Sequence, residues 1–297
     1  MLAIVIPYYK ITYFEATLRS LANQTDKQFK VYIGDDASLE KPAGLLEKYQ
    51  DKFDFHYHRF ETNLGGTSLV QQWERCLALT NKETWVMFLG DDDVLENNCV
   101  AAFYENVIEI EALKINVVRF ATKVINSEGE PISKVHKHPK LEKSIDFLMR
   151  KFKGGTRSSL SEYIFRKHIV NAIKFKDFPL AWSSDTLAVI EFSGNNKIFT
   201  INDALVYFRL SGLNITSQAD SIEKNKAWFQ FYSYLLTNYG KQYPKELVVA
   251  LIERLEKTQL NNKKTPLRWI KLFWFYISFS QYSRFFSLFL KIKKSIK

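Results

Sequence analysis

The chain has only two cysteines in 297 residues, Cys76 and Cys99, and they show no metal-ligand spacing. This excludes a disulfide framework and a cysteine-built zinc site, and buried reduced thiols in a cytoplasmic setting are expected. Histidine is also scarce: His56, His58, His136, His138 and His168 pair with none of the acidic motifs and are expected to pack or to face solvent. Glycine-rich phosphate loops are missing. There is no Gly-x-x-x-x-Gly-Lys-Ser/Thr, and no Gly-x-Gly-x-x-Gly follows the first apolar run, which moves P-loop hydrolases and NAD enzymes well down the list. Neither a low-complexity tract nor an internal repeat interrupts the sequence. The start, Met1-Leu2-Ala3-Ile4-Val5-Ile6-Pro7, lacks a basic n-region and is too short an apolar run for a signal peptide, so it is expected to be a strand.

Acidic residues run out before the chain does. None follows Glu256, whereas Lys257–Lys297 holds ten Lys and Arg. The other 32 basic residues equal the 32 acidic ones, so the net charge of +10 belongs to the tail. A nucleic-acid binder spreads basic residues over its folded body, and no nucleic-acid partner is expected. The longest charge-free stretch of the tail, 272–283, has 12 residues, against the roughly 20 needed to span a bilayer. Aromatic and basic, the tail from Pro266 is expected to form a pair of amphipathic helices. They would lie on an anionic membrane surface or pack on the rest of the chain or a second subunit.

The first hundred residues alternate apolar runs with helical spacings. Strands are expected at 2–6, 29–34, 53–59 and 84–89, with helices at 13–23, 42–51 and 68–79 between them, which implies right-handed crossovers and a mostly parallel sheet. In such a sheet the loops after the strands share one rim, where open α/β proteins bind ligands. Four successive strand ends carry Pro7-Tyr8-Tyr9, Asp35-Asp36-Ala37-Ser38, Asn63-Leu64-Gly65-Gly66-Thr67 and Gly90-Asp91-Asp92-Asp93. Three adjacent carboxylates repel one another unless a cation shares the site, and a hard divalent ion is the simplest candidate. A solvated turn capping the next helix is the other reading. Asp35 and Asp36 suit a ribose or base edge as acceptors, or build an ordinary turn. Gly65-Gly66 permits positive φ and backbone amides facing a phosphate, or again a plain turn.

Later elements alternate less regularly. A helix at 96–112, a strand at 115–121 and a hairpin or loop over 122–142 are followed by a short strand at 161–166 and a helical turn to 173. A helix then starts near Trp182-Ser183-Ser184-Asp185 and runs to 192. Strands at 197–201 and 204–209 and helices at 219–239 and 244–258 complete the expectation.

Together, Val5-Ile6-Pro7-Tyr8-Tyr9, Asp35-Asp36-Ala37-Ser38, Asn63-Leu64-Gly65-Gly66 and Leu89-Gly90-Asp91-Asp92-Asp93 resemble the ordered signature of family 2 glycosyltransferases of the GT-A fold. The resemblance is strong over residues 1–110. It continues loosely through Trp182-Ser183-Ser184-Asp185 and Tyr207-Phe208-Arg209 to Asn214-Ile215-Thr216. It implies an α/β, Rossmann-like, mostly parallel central sheet flanked by helices, with a C-terminal helical extension. The organisation expected is a catalytic domain at 1–217, with a nucleotide-sugar half at 1–110 and an acceptor half at 111–217. A helical extension at 218–260 and a membrane-associating tail at 261–297 follow.

By the same resemblance the reaction is sugar transfer with inversion from a nucleotide donor, UDP-sugar being favoured. Pro7, Tyr9, Asp35 and Asp36 would line the nucleoside pocket, Asn63, Gly65 and Gly66 would border the donor, and Asp91 would lie near the ribose. Asp92 would bind the Mn²⁺ or Mg²⁺ bridging the diphosphate, with Asp93 beside it, and Asp185 would be the base, unless it only caps its helix. Two positions depart from the family: Gly90 stands where an Asp is common, and Ser211 where many members have a His. The acceptor implied is a glycan, lipid-linked, in a bacterial surface polysaccharide such as an O-antigen, capsule or lipopolysaccharide. The enzyme is expected on the inner face of the membrane; its oligomeric state is open, a dimer being possible. Two alternatives remain: a sugar nucleotidyltransferase, which needs a Gly-rich basic loop where Pro7-Tyr8-Tyr9-Lys10 stands, and a non-catalytic membrane-bound nucleotide-binding scaffold.

Overall fold

The computed structural model describes residues 1–212, 222–263 and 265–295. Its elements are β1 (Leu2–Tyr8), α1 (Phe14–Ala22), β2 (Phe29–Asp35), α2 (Ala43–Glu47), β3 (Phe55–Arg59), α3 (Leu69–Leu77), β4 (Trp85–Phe88), β5 (Val94–Leu95), α4 (Cys99–Ala112) and β6 (Val117–Ile125). They continue with β7 (Leu141–Lys143), α5 (Ser144–Phe152), β8 (Tyr163–Arg166), α6 (Lys167–Ile173), α7 (Ser184–Phe192), β9 (Lys197–Arg209), α8 (Ile222–Tyr239), α9 (Lys245–Asn261), α10 (Pro266–Ser278) and α11 (Tyr282–Ser295). Two compact units result, one of Met1–Asp177 and Ser184–Ala219, the other of Phe178–Ser183 and Asp220–Lys297.

The first unit is built on one sheet, ordered β3-β2-β1-β4-β8-β6-β9-β5, with β7 on β9. β1 to β4 pair in parallel, with Tyr8 opposite Asp35 and Asp35 opposite Arg59. Every residue of β4 and nearly every residue of β1 and β2 is buried, which is why they are continuous apolar runs and not alternating ones. α1 buries Phe14, Leu18 and Leu21 at helical spacing, and α3 buries Val70, Trp73 and Leu77. Ser68 caps α3 by accepting the Gln71 amide at 3.1 Å.

Beyond β4 the pairing becomes mixed. β8 runs antiparallel to β4 and β6, while β6 and β9 are parallel. The expected strands at 197–201 and 204–209 are one strand, β9, whose register against β6 shifts between Phe120 and Ala121. Residues 126–130 close as a turn, with the Asn126 amide on the Glu130 carbonyl at 2.9 Å, so the 122–142 segment is the hairpin form of the two expected. α5 and the two-residue β5 were not foreseen. The Asn214-Ile215-Thr216 motif and the boundary at 217 lie outside the described residues.

Under β6 and β9 sits a buried charged network. Arg119, fully buried, donates to Glu142 and Thr200 at 2.9 Å, and Arg150 donates to Glu142 at 2.7 and 2.8 Å and to Nδ1 of His138 at 2.8 Å. Burial, and then the guanidinium groups of Arg119 and Arg150, push the His138 imidazole down to about 2, so it is held neutral. A histidine whose pKa is lowered by folding contributes stability above its unfolded pKa that is lost as pH falls. Between about pH 6.5 and 2 the parent chain is therefore expected to lose about 1.4 kcal/mol per pH unit relative to His138→Gln. Denaturant unfolding of both chains at pH 7.5 and 5.5 checks this, and equal pH dependence would show that His138 takes up its proton inside the fold.

The second unit is helical. α8 and α9 bury Phe229, Phe231, Leu235, Leu247, Leu251 and Leu255. Against them α10 turns Leu272, Phe275 and Tyr276, all fully buried, and the Tyr276 hydroxyl donates to Glu256 at 2.9 Å. The aromatic tail is thus partly a packing element. Among the described residues no helix is long and apolar enough to cross a membrane.

Candidate active site

The carboxyl ends of β1, β2, β3 and β4 lie side by side, and the loops after them meet on one rim. Asp35 is fully buried at the end of β2. Its Oδ1 accepts the Ser38 amide at 2.8 Å, and its Oδ2 accepts the Tyr57 hydroxyl at 2.5 Å and Arg59 at 2.7 Å. Asp36 turns the other way, accepting the amides of Leu64 at 2.7 Å and Gly65 at 2.9 Å together with the Arg75 guanidinium. These two carboxylates therefore spend their lone pairs on the protein, fixing the loops after β2 and β3.

Of the amides at Gly65-Gly66 expected to face a phosphate, that of Gly65 is held, with that of Leu64, by Asp36, and that of Gly66 by Asn63 at 2.7 Å. Neither glycine has positive φ. What position 65 requires is the close approach of Asp36, whose Oδ2 lies 2.5 Å from where a Cβ would stand. Pro7 is half-buried inside β1, which extends one residue past it, and Tyr9 stands exposed beyond the strand end with its carbonyl bound by Ser38 at 2.5 Å.

The three carboxylates after β4 have separate surroundings. Asp91 reaches back to the first loop and accepts the amides of Tyr9 and Lys10 through one oxygen, both at 2.8 Å. Asp93 is buried, with one oxygen on the Arg209 amide at 2.9 Å and the other on the Ser161 hydroxyl. Its carbonyl accepts Thr17 at 2.8 Å, and Arg209 also ties down the Asp92 carbonyl at 2.9 Å. No other residue among those described donates to the Asp92 carboxylate, which is favoured by its own backbone amide and by the charge of Arg209. Of the two residues expected at the metal, the Asp92 carboxylate accepts from no other described residue, whereas each Asp93 oxygen already accepts one hydrogen bond.

Burial, then repulsion from Asp93, raises the Asp91 carboxyl to about 6, against the lowering by its two amide partners. Asp92 is raised too, by burial first and then by Asp93 and Asp91, and Asp93 by burial. A divalent cation relieves this unfavourable crowding of charge. Among the described residues no group of three or more His, Cys, Asp or Glu is placed to hold a metal ion. The site thus suits an ion that takes one hard carboxylate and fills its remaining positions from phosphate oxygens and water, the habit of Mg²⁺. Gly90 fits the same crowding, since a Cβ there would stand 3.0 Å from an Asp92 oxygen and 3.1 Å from an Asp93 oxygen. A side chain at position 90 would require these carboxylates to give by a few tenths of an ångström.

Asp185 lies in the first turn of α7, half-exposed. Three non-glycine residues just before it, Leu180, Ala181 and Ser183, have φ of 58°, 51° and 71°. Such left-handed positions cost of order 1–2 kcal/mol each and concentrate at functional sites. Nothing in the sequence announced this strain. Beside Asp185 runs a short hydrogen-bonded chain: Lys151 Nζ donates to Thr186 Oγ1 at 3.0 Å, and that hydroxyl donates to Asp185 Oδ1 at 3.4 Å. Lys151 comes from α5, and both Asp185 and Glu162 favour its charge against the lowering effect of burial.

Known proteins resemble this chain in sequence and in fold. A Staphylococcus aureus protein, poly(ribitol-phosphate) beta-N-acetylglucosaminyltransferase TarS, is 29% identical over 138 residues, 44% of this chain and 22% of that protein. A Haemophilus influenzae glycosyltransferase is 35% identical over 94 residues, 31% of this chain and 30% of its own. The matched regions are thus less than a third of either relative. The crystal structure of TarS residues 1–349 with UDP-GlcNAc superposes with a TM-score of 0.66 at 18% identity, over 94% of this chain and 80% of that one. That of GalNAc-T7 with UDP, GalNAc and Mn²⁺ gives 0.55 at 12% identity, over 93% and 56%. The GT-A type of sheet expected from the motifs is the fold observed. Residues 3–168, more than half of the sequence and all four strand-end motifs, match the model for glycosyl transferase family 2, and the chain belongs to that family.

Proposed function

We propose that this chain transfers a sugar from a UDP-sugar to a glycan acceptor with inversion at the anomeric carbon. The observation that carries the reading is the Asp92 carboxylate at the end of β4, to which no other described residue donates, between Asp91 on the first loop and Asp93 on Ser161 and Arg209. UDP-sugar is favoured because TarS and GalNAc-T7, with which the fold is shared, were solved with UDP-bearing ligands. Asp92 is the residue to hold Mn²⁺ or Mg²⁺, and such an ion supplies positive charge to the departing diphosphate. Tyr9, Pro7 and the loops pinned by Asp35, Asp36 and Asp91 form the wall toward the nucleoside and ribose, with Asn63, Gly65 and Gly66 at its border. Asp185 accepts the acceptor hydroxyl's proton as that oxygen bonds to the anomeric carbon and the bond to the diphosphate oxygen breaks.

The acceptor is a lipid-linked glycan of a bacterial surface polysaccharide, and the enzyme works as a peripheral protein on the inner face of the membrane. The name of TarS, which makes poly(ribitol-phosphate) its acceptor, and the basic aromatic tail support this. Thermal melting with UDP, GDP and dTDP, with and without Mn²⁺, tests the donor site. UDP with Mn²⁺ is expected to stabilise most, by about 2.7 kcal/mol at a hundred times its Kd. UDP release from UDP-GlcNAc then separates enzyme from scaffold. No stabilisation by any nucleotide overturns the proposal, and stabilisation without turnover leaves only a binding module.

A further inference from the structure

Two faces of α10 have opposite fates. Leu272, Phe275 and Tyr276 are fully buried against the other helices of the second unit, and Phe273 packs on Phe285 of α11 with ring centroids 5.3 Å apart. Arg268 is drawn inward as well, donating to Asn225 at 2.9 Å and lying 4.8 Å over the ring of Phe229. On the other side Leu267, Ile270, Trp274 and Ile277 are 77%, 64%, 53% and 60% exposed. Their spacing of three, four and three residues makes one stripe along the helix. Four large apolar side chains in a line, in a helix whose inner face is already satisfied, are not needed for folding.

Charge chooses the occupant. Lys271, exposed, sits four residues after Leu267 at the margin of the stripe, and exposed Lys263 precedes the helix. No acidic residue follows Glu256, and the last 41 residues carry ten positive charges. Pairing two copies through this face would set those charges against each other, whereas an anionic surface attracts them. An apolar stripe with a central Trp and flanking Lys is the pattern of a helix lying in the headgroup layer.

We propose that the outer face of α10, Leu267, Ile270, Trp274 and Ile277 flanked by Lys263 and Lys271, docks on an anionic lipid bilayer. This deepens the peripheral-membrane reading and rests on it: the contact is a defined stripe on one helix, separate from the buried aromatics of the tail.

The test is co-sedimentation of the full chain with phosphatidylglycerol–phosphatidylcholine vesicles and with pure phosphatidylcholine vesicles. The parent is expected to bind the anionic vesicles preferentially, and less so in high salt. The triple variant Ile270→Ser, Trp274→Ser, Ile277→Ser is expected to bind on the order of tenfold or more weakly with an unchanged melting temperature, because these side chains lie outside the packed core. Lys263→Glu with Lys271→Glu is expected to remove the preference for anionic lipid. If the parent ignores anionic vesicles, the peripheral reading itself falls. If the parent binds and the triple variant binds equally well, the docking face lies elsewhere and the inference is overturned. Light scattering that shows a dimer in the parent and a monomer in the triple variant assigns the stripe to self-association, which also overturns it.

Discussion

Asp92→Asn is expected to give a chain that is more stable than the parent without metal and nearly inactive with it. In the parent three carboxylates crowd one loop, and Asp92 has only its own backbone amide and the charge of Arg209 to offset the cost of its charge. Asn keeps the shape and removes the charge, so the metal-free variant is expected to gain on the order of 1 kcal/mol at neutral pH. The loss comes with the donor: turnover of UDP-GlcNAc is expected to fall on the order of 10²–10³-fold, the usual effect of removing one preorganised electrostatic stabiliser. Mn²⁺ should raise the melting temperature of the parent in the presence of UDP and leave Asp92→Asn unchanged.

The sign of the pH dependence follows from Asp91. Its folded-state pKa is raised from 3.8 to about 6, so the folded chain holds more protons than the unfolded chain between those values. Relative to Asp91→Asn, the metal-free parent is therefore expected to lose stability as pH rises through that window, opposite in sign to the contribution of His138. Saturating Mn²⁺ with UDP should oppose the fall, because the ion competes with protons for the cluster. Melting curves in EDTA and in Mn²⁺ with UDP at several pH values read both effects. A variant that still responds to Mn²⁺ would move the metal site away from Asp92.

The rim was legible because buried parallel strands are continuous apolar runs, so the polar residues that end them stand out. What each carboxylate does there was not legible. Asp91 is turned by amides in the loop after β1, and Asp93 by Ser161 and Arg209, partners that only the closed sheet brings near. Asp35 and Asp36 are satisfied by Tyr57, Arg59 and Arg75, and the sequence offered no sign that these would be nearer than any ligand. The glycine pair after Asn63 suggested backbone handedness, and the cause proved to be the closeness of Asp36 and Asn63 side chains. α5, as long as α1 and α3, was not foreseen, although Ser144 at its start, Asp146 in its first turn and Arg150-Lys151 in its last are the signs of a helix aligned with its dipole. Lys151 belongs to that helix. In the tail, composition showed an amphipathic pair, but only packing could divide Tyr276 and Phe275 from Trp274 and Ile277.

Asp185→Asn is the substitution expected to cost most, on the order of 10²–10⁴ in turnover if the side chain takes the acceptor's proton. The amide keeps the size of the carboxylate and cannot act as a base, so KM for the UDP-sugar should be unchanged. Helix capping, the competing role for Asp185, predicts the reverse: Asn is a good residue at helix starts, and both rate and stability would survive. The neighbouring chain sharpens the distinction. Thr186 accepts from Lys151 at 3.0 Å and donates to Asp185 at 3.4 Å, so its hydroxyl aims one carboxylate oxygen. As a positioning residue, Thr186→Val is expected to lower kcat roughly tenfold with little change in KM, because a small misorientation of a reacting group is costly. Thr186→Ser, which keeps the hydroxyl, should restore most of the rate. Lys151→Met removes the donor and leaves Glu162 with less compensation, so it should lower both kcat and melting temperature. Full activity in Asp185→Asn would sink the base assignment. A dead Asp185→Asn beside an unimpaired Thr186→Val would keep the base and show that Thr186 does not aim it.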